Sequence, residues 1–106
     1  MKYVKVAVAI AFAAGGSLAL AAEKSIHQKG KVFSETEVTI KKGNTLVFVN
    51  DDNIAHNVMS STTGHTFNLG SQAPGKSTPV TFDKSGDIRV ICAIHPAMKM
   101  LVKVTD

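Results

Sequence analysis

The stretch Ile88-Arg89-Val90-Ile91-Cys92-Ala93-Ile94-His95-Pro96-Ala97-Met98, with Leu101-Val102-Lys103-Val104 just beyond it, decides how this chain is read. Its flanks, Ile88 to Ile91 and Leu101 to Val104, are runs of aliphatic and β-branched residues and read as strands. Between them Cys92, His95 and Met98 fall within seven residues on one tight loop. A thiolate, a neutral imidazole and a thioether are soft and borderline ligands of the kind that suits copper, especially Cu(I). A trigonal set of two histidines and one cysteine, with a weak axial methionine, needs one more imidazole. The upstream candidate is His56 in Asn53-Ile54-Ala55-His56-Asn57-Val58.

Working outward, the hydrophobic pattern has period two rather than 3.6. Val38-Thr39-Ile40 leads into the turn Lys41-Lys42-Gly43-Asn44, and Thr45-Leu46-Val47-Phe48-Val49-Asn50 follows as a strong strand. Asp51-Asp52-Asn53 breaks it, and an extended run resumes from Ala55 to Met59. Thr66 to Gly70 and Ser77 to Phe82 are further strand-like runs, the second marked as an edge strand by Pro79. Asp83 to Asp87 makes the last turn before the strands that bracket the loop. No segment offers an amphipathic helix, so short strands between turn signals predict an antiparallel sandwich or barrel. Phe33, Phe48, Phe67 and Phe82 are expected in its core, as is Met100. His27 and His65 are expected on the surface or in loops.

The 106 residues allow one domain. Met1-Lys2-Tyr3-Val4-Lys5 is a positive start, Val6 to Leu20 an uncharged apolar run, and Ala19-Leu20-Ala21 a small-x-small cleavage pattern. Residues 1–22 therefore read as a cleavable signal peptide, with cleavage near Ala21 or Ala22, and 23–106 as the mature domain. A membrane span needs roughly 18 or more apolar residues, and Gly15-Gly16-Ser17 interrupts this shorter run. Export gives the single cysteine its meaning. Cys92 has no partner for an internal disulfide, and with His95 and Met98 beside it a ligand role outweighs a stray thiol. Loss of Lys2 and Lys5 lowers the formal charge from +4 to +2. The remaining lysines are dispersed and few aromatics accompany them, which excludes a nucleic-acid footprint.

Lys42-Gly43 with Val47-Phe48-Val49-Asn50, then His56-Asn57-Val58, then Gly86 through Val104 together resemble the cupredoxin family of type 1 blue copper proteins, most closely amicyanin, plastocyanin and pseudoazurin. The resemblance implies a Greek-key cupredoxin-like β-sandwich with one copper at one end, cycling between Cu(I) and Cu(II). It implies His56, Cys92, His95 and Met98 as the ligands. Strand periodicity alone leaves Met98 and Met100 as rivals for the axial place, since both lie on one face. Aligning the last strand on the family's Met-x-Gly-x-Val-x-Val puts Met98 on the ligand and Met100 on the glycine. The likeness also implies that the Asn57 backbone N–H donates to the Cys92 sulfur and that the Asn57 side chain braces the loop. Two departures stand out: Ile88 where relatives often carry an aromatic, and Ala93-Ile94 for their common Thr-Pro or Ser-Pro.

The expected function is that of a soluble periplasmic carrier of single electrons, monomeric and not an enzyme. Its implied partners are redox proteins: a donor dehydrogenase or cytochrome, and an acceptor cytochrome or oxidase. They would dock on an apolar patch around His95 formed by Ile54, Ala73, Pro74, Pro96 and Ala97. The alternative is a periplasmic copper chaperone on the same fold, with Met59, Met98 and Met100 supplying sulfur for Cu(I) transfer. An enzyme using Cys92 as a nucleophile activated by a histidine leaves Met98 unexplained.

Overall fold

The computed structural model describes residues 22–106. The expected signal peptide lies, apart from Ala22, outside these residues. Nine strands form in the described part: β1 (Glu23–Lys29), β2 (Val32–Phe33), β3 (Glu37–Lys41), β4 (Thr45–Asn50), β5 (His56–Ser60), β6 (Phe67–Gln72), β7 (Ser77–Thr81), β8 (Gly86–Ile91) and β9 (Lys99–Thr105). They make two sheets, in the orders β2-β1-β4-β7 and β3-β9-β8-β5-β6. No helix occurs among the described residues. Pro79 sits in β7 at the edge of its sheet, where a missing N–H is tolerated.

One expectation needs correction. The sheets are mixed rather than antiparallel, because β1 pairs parallel with β4 and β3 pairs parallel with β9. Parallel neighbours need a long connection between them, and local turn signals do not report such pairings. The strand β1 itself was also not expected. Its sequence, Glu-Lys-Ser-Ile-His-Gln-Lys, holds only one large apolar residue, and it is extended because β4 and β2 supply hydrogen bonds on both sides.

Alternation along the strands builds one core between the sheets. Leu46 and Phe48 of β4, Ile88 and Val90 of β8, and Met100, Val102 and Val104 of β9 all point inward. Phe33 meets Phe48 edge-on at 6.2 Å, and Phe67 meets Phe82 edge-on at 6.1 Å. Phe67 packs on the core from its margin rather than inside it. The apolar row of β8 continues past the strand end into Cys92, so the thiol is placed by the same alternation that buries Ile88 and Val90.

Beside Cys92 the five-stranded sheet opens. Met59 of β5 pairs with Ile91 of β8, and no further pair of the two strands forms toward His56. On the other side of β5, the register with β6 shifts between Asn57 and Met59. This irregularity bends β5 away from β8, as bulges do, and leaves a gap that side chains fill.

Candidate metal centre

Three elements deliver the donor atoms. His56 is the first residue of β5, Cys92 follows the last residue of β8, and His95 stands in the loop between β8 and β9. The Cys92 Sγ lies 3.9 Å from His56 Nδ1 and 3.7 Å from His95 Nδ1. All three donor atoms fall within 4.8 Å of one another, and among the described residues no other such His, Cys, Asp and Glu group of three forms. Cys92 and His56 are fully buried, and His95 is half-buried.

The spacing is that of a shared ion. Metal bonds of about 2.3 Å to sulfur and about 2.0 Å to nitrogen, opened to about 120°, put sulfur and nitrogen about 3.7 Å apart; a tetrahedral angle brings them to about 3.5 Å. The observed 3.7 and 3.9 Å are therefore compatible with donors sharing one ion. The donor chemistry, one thiolate and two imidazoles, fits copper.

The loop carrying His95 is closed by its own backbone. Cys92 N–H donates to the Met98 carbonyl (3.0 Å), His95 N–H to the Cys92 carbonyl (3.2 Å) and Met98 N–H to the His95 carbonyl (2.8 Å). Met98 is 1% exposed and belongs to the same buried core cluster as Cys92 and Met100. Met100 lies one step further along β9, opposite Val90 in the ladder.

Asn57 latches this loop to the rest of the sheet. Its backbone N–H, freed where β5 and β8 part, points at the Cys92 sulfur at 3.3 Å. Its side-chain oxygen accepts from Ala93 N–H (3.2 Å), and its amide nitrogen donates to Asn68 Oδ1 and the Gly70 carbonyl, both at 2.9 Å. The Cys92 sulfur thus receives a buried donor, and both faces of Asn57 are used. These are the contacts that the family likeness implied for this residue.

A further partner was not foreseen. His56 turns Nδ1 toward the sulfur and Nε2 toward Asp52, whose Oδ2 stands 2.6 Å away. The Asp52 carboxylate also accepts from the backbone N–H groups of Gly30 (2.9 Å) and Lys31 (3.1 Å), the two residues of the β1–β2 turn. The hydrogen bond from His56, then those from the turn, hold the Asp52 carboxyl well below the ordinary carboxylate range, down to about 2, against a smaller opposing effect of burial. In the sequence Asp52 reads only as part of a strand-breaking Asp51-Asp52-Asn53. The signal available was an acid four residues before a proposed ligand histidine.

Beneath the site a buried amide network ties four strands together. Asn50 donates to the carbonyls of Ile54 and Gln72, and its oxygen receives Asp52 N–H, all at 2.9 Å. Gln72 donates to the Phe48 and Lys76 carbonyls and accepts from Gln28 at 2.7 Å. Buried polar groups are usually paired, and in this network Gln28 Oε1 is the one side-chain atom without a partner. The paired amides fix the 51–55 loop that presents Asp52 and His56.

The remaining expected histidines lie apart from the centre. His27 is exposed and pairs with Asp51 at 2.5 Å, and His65 packs near Gly86. Of the residues expected to form an apolar patch, Ile54 is 37% exposed and Ala73, Pro74, Pro96 and Ala97 are exposed too; Ile94, one residue before His95, is 53% exposed. No helix among the described residues is long and apolar enough to cross a membrane.

Comparison with known proteins agrees with this geometry. A family model described as copper binding proteins, plastocyanin/azurin family, matches residues 21–105. A search of curated protein sequences finds no match. Among solved structures, a purple cupredoxin from Nitrosopumilus maritimus is 26% identical with a TM-score of 0.68, covering 76% of this chain and 98% of that one. A copper-containing nitrite reductase from Thermus scotoductus SA-01 is 25% identical with a TM-score of 0.74, but this chain, covered to 92%, spans only 25% of its length. The reduced form of an amicyanin variant, 22% identical over 76% of this chain and 79% of that one, has a TM-score of 0.70 and shares the fold. With a β-sandwich, a buried thiol flanked by two imidazoles at metal-ligand spacing, and a family match over nearly all the described residues, the chain belongs to the plastocyanin/azurin family of copper-binding proteins.

Proposed function

We propose that the protein is an exported electron carrier with one type 1 copper, which His56, Cys92, His95 and Met98 would hold. The observation that supports it most is the convergence of Cys92 Sγ with two imidazole Nδ1 atoms at 3.7 and 3.9 Å. Copper supplies one-electron chemistry between Cu(II) and Cu(I). The chain's own contribution is a fixed ligand set: Asn57 and the closed 92–98 loop hold sulfur and nitrogens in place, so little rearranges as charge changes. The likeness to solved structures such as a purple cupredoxin supports the same reading.

Burial favours a carrier over a chaperone. Cys92, His56 and Met98 are almost wholly inaccessible, and only the His95 edge reaches the surface. A metal enclosed in this way leaves only when the loop opens, whereas an electron can pass through the His95 ring. Ile54, Ile94, Ala73, Pro74, Pro96 and Ala97 are exposed, and in this account they form the apolar surface on which a redox protein docks. Residues 1–22 direct export to the periplasm in this account, and the mature domain begins near Glu23.

The test is to load mature protein with Cu(II) and follow two rates: reduction and reoxidation by small redox reagents, and release of copper to a Cu(I) chelator. Fast reversible cycling with slow release is expected. Rapid release to the chelator with sluggish redox cycling would make the protein a copper donor instead.

A further inference from the structure

The copper reading explains Cys92, the two histidines and Met98, but gives no task to the carboxylate behind His56. Three donors converge on Asp52: Gly30 N–H at 2.9 Å, Lys31 N–H at 3.1 Å and His56 Nε2 at 2.6 Å. An ionised carboxylate is acceptor-only, and two backbone N–H groups on Asp52 favour that form. The third neighbour must then carry its proton on Nε2, which leaves Nδ1, the atom facing the sulfur, bare for a metal. Nothing here is loose. The side chain of Asp52 is 13% exposed and that of His56 is 0% exposed.

The turn that holds Asp52 is itself unusual. Gly30 and Lys31 link β1 to β2 as a two-residue loop, with φ of 66° and 61°. Left-handed backbone at both positions is the hairpin geometry of a type I′ turn. Lys31 is the one non-glycine residue in that region among the described residues, a conformation that residues with a Cβ rarely adopt. In return two consecutive backbone N–H groups face the same carboxylate. Asp51 beside it is tied to the same strand, through His27 Nδ1 and by donating its own N–H to the Gln28 carbonyl. The β1–β2 hairpin is therefore clamped to the loop that presents His56.

We infer that Asp52 is a positioning residue for the metal ligand His56, and that its charge sets the balance between the two copper oxidation states in favour of Cu(II). This rests on the assignment of His56 as a ligand. The physical reason is charge counting at a buried site. The Cys92 thiolate and the Asp52 carboxylate together offset a divalent ion, whereas a monovalent ion leaves one negative charge uncompensated in a medium that screens it poorly. A carboxylate on the far nitrogen also raises the basicity of the near one. Both effects act in the same direction.

The experiment compares copper-loaded wild type with Asp52→Asn, which keeps the shape and removes the charge. The visible thiolate-to-copper band reports that the ligands are intact, and the reduction potential reports the charge. Asp52→Asn is expected to shift the balance toward Cu(I) by about tenfold, a rise of about 59 mV for one electron. A folded variant that keeps the band and shows no change in potential overturns the inference and leaves the copper site standing. Loss of copper binding in His56→Ala tests the ligand assignment separately; unimpaired binding there would remove the basis for both. A second measurement avoids any variant: nitrogen-15 NMR of the histidines in reduced wild type. A slowly exchanging, strongly downfield Nε2–H on His56 is expected. A proton on Nδ1 of His56, or a rapidly exchanging Nε2–H, refutes the role of Asp52.

Discussion

Asn57→Ala removes the latch between the ligand loop and the sheet, and its cost follows from three side-chain hydrogen bonds: to Ala93 N–H, Asn68 Oδ1 and the Gly70 carbonyl. Each contributes about 1 kcal/mol net. The partners lie at the surface, as Ala93, Asn68 and Gly70 are all exposed, so water replaces much of what they lose. That keeps the total near the plain sum, about 3 kcal/mol, instead of the larger figure for stranded buried groups. For a domain of this size the melting temperature of the metal-free protein falls by about 12–24 °C. Urea unfolding at constant slope measures it directly. The Cys92 thiol gives an independent readout, because it is fully buried and reacts with a thiol reagent only when the loop opens. Labelling under native conditions is expected to accelerate about a hundredfold, the equivalent of about 3 kcal/mol. Asn57→Asp should recover little at neutral pH. It keeps the acceptor for Ala93 but sets a carboxylate oxygen against Asn68 Oδ1 and the Gly70 carbonyl. A loss below about 0.5 kcal/mol, with unchanged labelling, would show that Asn57 does not hold the loop.

Three further outcomes are expected. Met98→Leu should alter the copper spectrum and raise the potential while Met100→Leu changes mainly stability; the reverse pattern would move the axial role to Met100, whose side chain is equally buried. Phe48→Ala, at a fully buried position against Phe33, should cost about 3–5 kcal/mol in thermal or urea unfolding. The folded Asp52 carboxyl is depressed to about 2, so its contribution to stability is present above about pH 4, the unfolded value, and fades as pH falls toward 2. Metal-free wild type should therefore lose its advantage over Asp52→Asn in that window, and an advantage that stays constant from neutral pH down to 2 would show that the carboxylate is not so held.

The convergence of Cys92 and His95 was legible because it is local: the two stand three residues apart in a short segment between two strong strands. The limits of β4 were read without error, since Thr45 to Asn50 carries β-branched and aromatic residues between a glycine turn and two aspartates. His56 was found by asking what the loop lacked. What escaped was non-local. The polar β1 becomes a strand only through its parallel pairing with β4, and a parallel partner leaves no mark in the intervening sequence. Asp52 is likewise defined by its neighbours, Gly30 and Lys31, which lie more than 20 residues upstream. The choice between Met98 and Met100 was also hard for a physical reason: they are two residues apart, Met98 just before β9 and Met100 within it, and both are buried. The buried Gln28, Asn50 and Gln72 look like surface residues until the sheets close over them.

X-ray absorption at the copper edge of the loaded mature protein tests the central claim most directly. The account predicts one short copper–sulfur bond and two copper–nitrogen bonds in wild type, with the short sulfur contact absent in Cys92→Ser. A first coordination sphere of nitrogen and oxygen alone in wild type, or one that Cys92→Ser leaves unchanged, would contradict it.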